Sequence, residues 1–241
     1  MSVLVTSRSS GDFHGVPNDT RCIFDEALGI YSVVDARGPT YGGWHRPVGI
    51  EPAWLALTTR IAQSDLPLVE AAALGLLDAN SAASAAGPDW QTARQRSAEL
   101  VHPALSIAAL FFKDQVWVAA GVGTCRVYLR RGNVWSVIVD AHTLGRANPD
   151  VELPLELKYE ASRTLGLTQR VEPEFSRGVV HPDDVFLICS SQVWKHCHDW
   201  ILCYTGEPNE LLGNCAPLID DRGGNASACI LTISERRPTS R

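Results

Sequence analysis

Apolar positions change their period along this chain, and the changes mark out its elements. Residues 21–34 (RCIFDEALGIYSVV) carry two runs of apolar, β-branched and aromatic residues around a polar turn ending at Gly29, the pattern of a β-hairpin. Residues 35–49 hold six glycines and prolines and read as a loop. From Glu51 to Gln63 the residues Trp54, Leu55, Leu57 and Ile61 recur at helical spacing, with Pro52 suited to a first turn. Residues 66–79 predict a second helix, Asn80–Asp89 a small polar loop, and residues 90–101 a further helix. After that the period falls to that of strands. Ala104–Phe112, Gln115–Ala120, Cys125–Arg130 and Asn133–Val139 are separated by Lys113-Asp114, Gly121-Val-Gly-Thr and Arg131-Gly132, which together read as an antiparallel meander. A short helix is expected near Leu157–Leu165, strands at Phe175–Val180 and Asp184–Cys189, helices at Trp194–Tyr204 and Glu207–Leu212, and a last strand at Ala226–Ile233. Strands pair with strands and helices segregate, so the fold class is α+β with large antiparallel sheets. No internal repeat and no linker composition appears, and residues 1–241 read as a single domain.

Composition narrows the function classes. The formal net charge is -6 and the basic residues form no run beyond pairs such as Arg130-Arg131, so nucleic acid is excluded as a partner. No stretch reaches the roughly 18 apolar residues of a membrane span, and the start of the chain lacks a basic segment followed by a long apolar run, so no membrane partner is expected. The seven cysteines are scattered, several inside strand-like runs, which suggests reduced, buried thiols and a cytoplasmic location. His196-Cys197-His198 with Cys203 and Cys189 matches no common zinc spacing. Gly121-Val-Gly123 is too short for a phosphate loop and reads as a tight hairpin. The seven tryptophans read as core and groove fillers.

Asn18-Asp19-Thr20-Arg21 with Asp35-Ala36-Arg37-Gly38, Gly123-Thr124-Cys125-Arg126 with Asp140-Ala141-His142, Ser190-Ser191-Gln192-Val193-Trp194, and Gly223-Gly224-Asn225-Ala226-Ser227 form four local patterns, which in this order resemble the metal-dependent Ser/Thr protein phosphatases of the type 2C (PPM) family. Asn18-Asp19-Thr20-Arg21, then Asp35-Ala36-Arg37-Gly38 after the hairpin, is similar to the family's Asn-Glu-Asp start and its Asp-Gly-x-Gly-Gly loop. Gly123-Thr124-Cys125-Arg126 resembles Gly-Asp-Ser-Arg, and Asp140-Ala141-His142 stands where the family has Asp-His. Ser162-Arg-Thr-Leu-Gly-Leu leads to Ser190-Ser191-Gln192-Val193-Trp194, which resembles Ser-Asp-Gly-Leu-Trp. Gly223-Gly224-Asn225-Ala226-Ser227 takes the place of Asp-Asn-Ile-Ser. The resemblance covers about residues 11–233 and implies two packed antiparallel sheets flanked by helices.

What the resemblance implies for chemistry is metal-assisted hydrolysis of a phosphoester, with adjacent Mg²⁺ or Mn²⁺ ions held chiefly by carboxylates. Matched residue by residue, Asp35 is the intact bridging carboxylate, Ala36 replaces the glycine whose carbonyl is used, and Asp19 replaces the glutamate. Thr20, Thr124, Ser191 and Gly224 replace aspartates, Ala141 replaces the aspartate before the histidine, and Gly15 stands where a phosphate-binding arginine is usual. Arg37 beside Asp35 adds a cation where the metals would sit. Asp220 or Asp221 is the substitute acid that a shifted loop could supply. The resulting expectation is a pseudophosphatase: a regulatory or scaffold protein with no cofactor, which binds a protein partner such as a kinase, a phosphoprotein or a signalling or secretion component. The alternative is a weak, divergent phosphatase using Mn²⁺ or Mg²⁺ at Asp35 and Asp19. Trp44, His45 and Arg46, after the glycine-rich segment, suit a partner contact.

Overall fold

The computed structural model describes residues 2–9, 20–37, 49–86, 104–167, 170–220 and 226–234. Its strands are β1 (Ser2–Ser9), β2 (Thr20–Asp25), β3 (Ile30–Arg37), β4 (Ala104–Lys113), β5 (Val116–Val122), β6 (Arg126–Arg131), β7 (Val134–Val139), β8 (Glu174–Val179), β9 (Val185–Cys189) and β10 (Ser227–Ser234). Its helices are α1 (Ile50–Gln63), α2 (Leu68–Ala86), the short α3 (Leu144–Ala147) and α4 (Leu155–Lys158), α5 (Ser191–Cys203) and α6 (Pro208–Asp220). The strands form two five-stranded sheets, ordered β1-β10-β9-β6-β7 and β2-β3-β4-β5-β8, and every pairing is antiparallel. No helix among the described residues is long and apolar enough to cross a membrane.

Period-two alternation builds the layers. In β3, Tyr31 and Val33 enter the core between the sheets, while Ile30, Val34 and Ala36 face the helices α1 and α2. Across from them Val127, Leu129, Phe186, Ile188, Cys229 and Leu231 supply the other half of the inter-sheet core. The outer face of the second sheet presents Tyr128, Leu187 and Ile230 to α5 and α6. The result is a helix–sheet–sheet–helix sandwich with a core at each of its three contacts.

Several sequence-based expectations are corrected. Residues 80–86 of the expected Asn80–Asp89 loop are helical, since α2 continues to Ala86, and the rest of that stretch lies outside the described residues. Asn80 is buried, and its Oδ1 accepts from the Gly166 amide at 2.9 Å, so a residue that resembles a turn former anchors a neighbouring turn from inside a helix. The alanines Ala79 and Ala83 lie in the core shared with the sheet. The four strands from residue 104 to 139 do not form one meander, because β4 and β5 lie in one sheet and β6 and β7 in the other. Gly121–Gly123 is therefore a crossing between sheets, not a tight hairpin: Gly121 still pairs with Ala108, and Gly123 turns the chain with φ +90. β3 extends through Arg37 into the stretch read as a loop, α3 and α4 replace the helix expected at 157–165, and α6 runs on to Asp220. Strand β1 carried no clear signal and exists by pairing with β10. The helix expected over 90–101 lies outside the described residues.

Candidate functional site

At one end of the sandwich the inward-facing positions change from apolar to hydroxyl. On β3 the inward series Tyr31, Val33 ends at Asp35, which pairs across the ladder with Thr20 of β2 on one side and Ser106 of β4 on the other. On the opposing sheet the inward series Leu231, Cys229 ends at Ser227, and Phe186, Ile188 ends at Ser190 beyond β9. All of these polar residues are buried, Asp35 at 6% exposure.

Hydrogen bonds between the sheets bind this end together. Thr20 Oγ1 and Ser227 Oγ are 2.7 Å apart. Cys22 Sγ donates to the Ala228 carbonyl at 3.3 Å. Ser191, the first residue of α5, donates its hydroxyl to Asp35 Oδ2 at 3.1 Å. The Asp35 carboxylate thus faces the first turn of a 13-residue helix, where the helix dipole favours a negative charge. Thr124 reaches the same layer through Ser106: its amide donates to Ser106 Oγ at 3.0 Å, and the two hydroxyls are 3.2 Å apart.

A second network fixes the turn at Gly123-Thr124. Trp194 Nε1 donates to the Thr124 carbonyl at 2.6 Å, and the Arg126 guanidinium stacks on the same indole at 3.9 Å. Arg126 pairs with Asp140 at 2.6 Å, which also faces Arg146 at 3.7 Å. Asp140 is therefore committed to guanidinium partners. His142 is buried, accepts from the Gly123 amide at Nδ1 (3.3 Å), and faces Glu174 with Nε2 at 3.4 Å. Burial, and then the field of Arg163, holds the His142 pKa below the usual 6.5, so the ring is neutral and Nδ1 is free to accept.

The sequence-selected residues Thr20, Asp35 and Ser191 meet in this cleft, and Thr124 borders it. Ala36 sits within β3 opposite Leu105, with its methyl group in the helix-side core. Asp19, Gly15, Gly224, Asp221, Trp44, His45 and Arg46 lie outside the described residues, as do the side chains of Arg37 and Asp220. Sequence reasoning missed Ser106, Ser190 and Ser227 as partners in the cleft. Their signal was a hydroxyl residue taking an inward position at the end of an apolar strand. The residues 196–198 diverge: His196 faces Gln192, Cys197 faces Cys215 across the helix-side core, and His198 meets the Tyr128 hydroxyl.

Solved structures share this fold over nearly their whole length. The Pseudomonas aeruginosa protein PppA, described as a key regulatory component of T6SS, superposes with a TM-score of 0.74 at 21% identity, covering 97% of this chain and 99% of its own. The Mycobacterium tuberculosis serine/threonine phosphatase PstP/Ppp gives 0.76 at 17% identity, with the same coverage. The catalytic domain of PstP in complex with 2 manganese ions gives 0.74 at 18% identity, covering 97% of this chain and 99% of its own. This is the fold of the PPM serine/threonine phosphatases. No family model and no curated protein matches the sequence itself. A PPM-type fold raises the question of whether the cleft suits a pair of hard cations, which need several carboxylate oxygens in one place. The described residues do not fit that need: one carboxylate, Asp35, stands among the hydroxyls of Thr20, Ser106, Thr124, Ser191 and Ser227. No three His, Cys, Asp or Glu side chains among the described residues converge as a metal ion requires.

Proposed function

We propose that this protein is a pseudophosphatase, a PPM-fold protein that regulates or scaffolds by binding a protein partner and does not hydrolyse phosphoesters. The observation that carries the reading is the hydrogen bond from Ser191 to Asp35. A residue matched to a metal-binding aspartate instead donates a hydrogen bond to the cleft's one described carboxylate. A neutral donor there lowers the negative potential that would draw a divalent cation out of water. Thr20 and Thr124, matched to further aspartates, are likewise held by Ser227 and Ser106. A regulatory role agrees with that of the structurally similar PppA, a key regulatory component of T6SS.

The test is hydrolysis of para-nitrophenyl phosphate and of a phosphoserine peptide in excess Mn²⁺, with calorimetry of Mn²⁺ binding alongside. The expected result is no Mn²⁺-dependent turnover and no micromolar binding. Turnover that Asp35→Asn abolishes would establish the divergent phosphatase instead.

A further inference from the structure

Between the bridge Thr143–Ala161 and its own interior the chain makes an excursion in which no residue from Leu144 to Glu160 is buried. The excursion nevertheless contains Leu144, Val151, Leu153, Leu155, Leu157 and Tyr159. Val151 is 54% exposed, Leu155 64% and Leu157 45%. Exposed aliphatic side chains concentrated in one short segment with a hydrogen-bonded backbone offer a surface on which a partner could bury apolar area.

The backbone here is ordered. The Leu144 amide donates to the Glu160 carbonyl at 2.8 Å, closing the excursion at its base. Thr143 caps α3 by accepting from the Arg146 amide, and Asn148 Nδ2 donates back to the Leu144 carbonyl. Gly145 lies so close to α4 that a Cβ would stand 3.0 Å from the Lys158 carbonyl oxygen. Tyr159 packs edge-on against Trp194 at 5.8 Å, which joins the excursion to the start of α5.

Charge identifies the occupant. Asp150, Glu152 and Glu156 alternate with the aliphatic residues and have no ion-pair partner among the described residues. Of the excursion's cations, Arg146 is engaged with Glu174 at 2.7 Å, which leaves Lys158. We infer that residues 144–160 are a docking platform for a basic amphipathic segment of a partner protein, with aliphatic anchors flanked by lysine or arginine. A second copy of this chain, with its net charge of -6, and an anionic lipid surface would both be repelled. The inference rests on the partner-binding reading above and names the chemistry of the partner.

The test uses the full chain and three fluorescein-labelled peptides of about 18 residues, some five helical turns. One is a lysine/leucine amphipathic helix, one its glutamate/leucine counterpart, and one a lysine/serine peptide without apolar anchors. Fluorescence anisotropy should show the first binding at least about tenfold tighter than either control. Leu155→Asp with Leu157→Asp should abolish that preference without moving the melting temperature, since both side chains are exposed. Glu152→Gln with Glu156→Gln should weaken binding and flatten its salt dependence. Equal binding by the Leu155→Asp/Leu157→Asp variant, or by the acidic peptide, overturns the proposal. So does self-association or anionic-vesicle binding that the same variant removes. Phosphoester turnover by the wild type would refute the pseudophosphatase reading while leaving the peptide result unaffected, so the two failures are separable.

Discussion

Replacing Ser191 with aspartate tests the charge reasoning directly. Ser191 Oγ is 3.1 Å from Asp35 Oδ2, and both side chains are buried. An aspartate there sets a second carboxylate within about 4 Å of the first, and at an effective dielectric of about 20 that repulsion is about 4 kcal/mol. It also removes a hydrogen bond to a charged group, a further loss of about 1.5–3 kcal/mol. Relaxation of the new side chain offsets part of this, so a net cost of about 4–5 kcal/mol is expected. For a chain of this size that lowers the melting temperature by about 10–20 °C, at about 2–4 °C per kcal/mol. The assay is a calorimetric melt in chelator and in excess Mn²⁺. The wild type should melt alike in both. The Ser191→Asp variant should be strongly destabilised in chelator and regain stability when Mn²⁺ is added. It should also regain stability as pH falls, because a proton shared between the carboxyls relieves the repulsion. Ser191→Ala should cost about 1–3 kcal/mol and show no response to Mn²⁺. A wild type that gains many degrees from Mn²⁺, or a variant that melts like the wild type in chelator, would refute the reasoning.

Three further outcomes follow from the same cleft. Trp194→Phe removes the bond to the Thr124 carbonyl and weakens the stacking of Arg126, and should cost about 1–3 kcal/mol in denaturant unfolding. Gly123→Ala forces a Cβ to within 2.3 Å of Ser106 Oγ and 2.8 Å of its Cα at a φ of +90, so a loss of at least about 2 kcal/mol in the same measurement is expected. His142 is held below its ordinary pKa of 6.5, so the unfolded chain binds the extra proton first. Its contribution is fully present above 6.5 and is lost as pH falls below that value, and His142→Gln should flatten the melting temperature over this window. His198, shifted in the same direction by burial and then by Arg126, leaves a residual slope of the same sign.

Alternation and turn residues made most strands legible, because the two faces of β3 or β9 each meet an apolar layer and the pattern reports that directly. The sheet assignment was not legible. Nothing local distinguishes Lys113-Asp114, which joins two strands of one sheet, from Gly123-Thr124, which carries the chain to the other. The difference lies in what each turn meets, here Ser106 and His142, both supplied from elsewhere in the chain. Residues 80–86 misled for a related reason. The small, polar composition of the stretch read as a loop, yet alanine is the strongest helix former, and in α2 the alanines allow close packing while Asn80 binds Gly166. At the cleft, Asp35, Thr20, Thr124 and Ser191 could be selected only because the resemblance supplied a pattern to compare them with. Ser106, which satisfies Thr124, carried no pattern of its own, and Ser227 lay in a matched stretch without being selected as the partner of Thr20.

The hydroxyl residues do more than leave carboxylates out. Several carboxylates at one end of the sandwich would push the sheets apart unless a cation lay between them, so the geometry of such a cleft would depend on its metal. Here Thr20 bonds to Ser227 across the sheets, and Ser191 bonds to Asp35. Among the described residues the Asp35 charge is answered by a hydroxyl and by the start of α5. Each hydroxyl can both donate and accept, so these described hydroxyls add no charge to that of Asp35. On the pseudophosphatase reading, the excursion that packs through Tyr159 onto Trp194 should keep its shape whether or not divalent ions are present, so its peptide binding should be the same in chelator and in Mn²⁺.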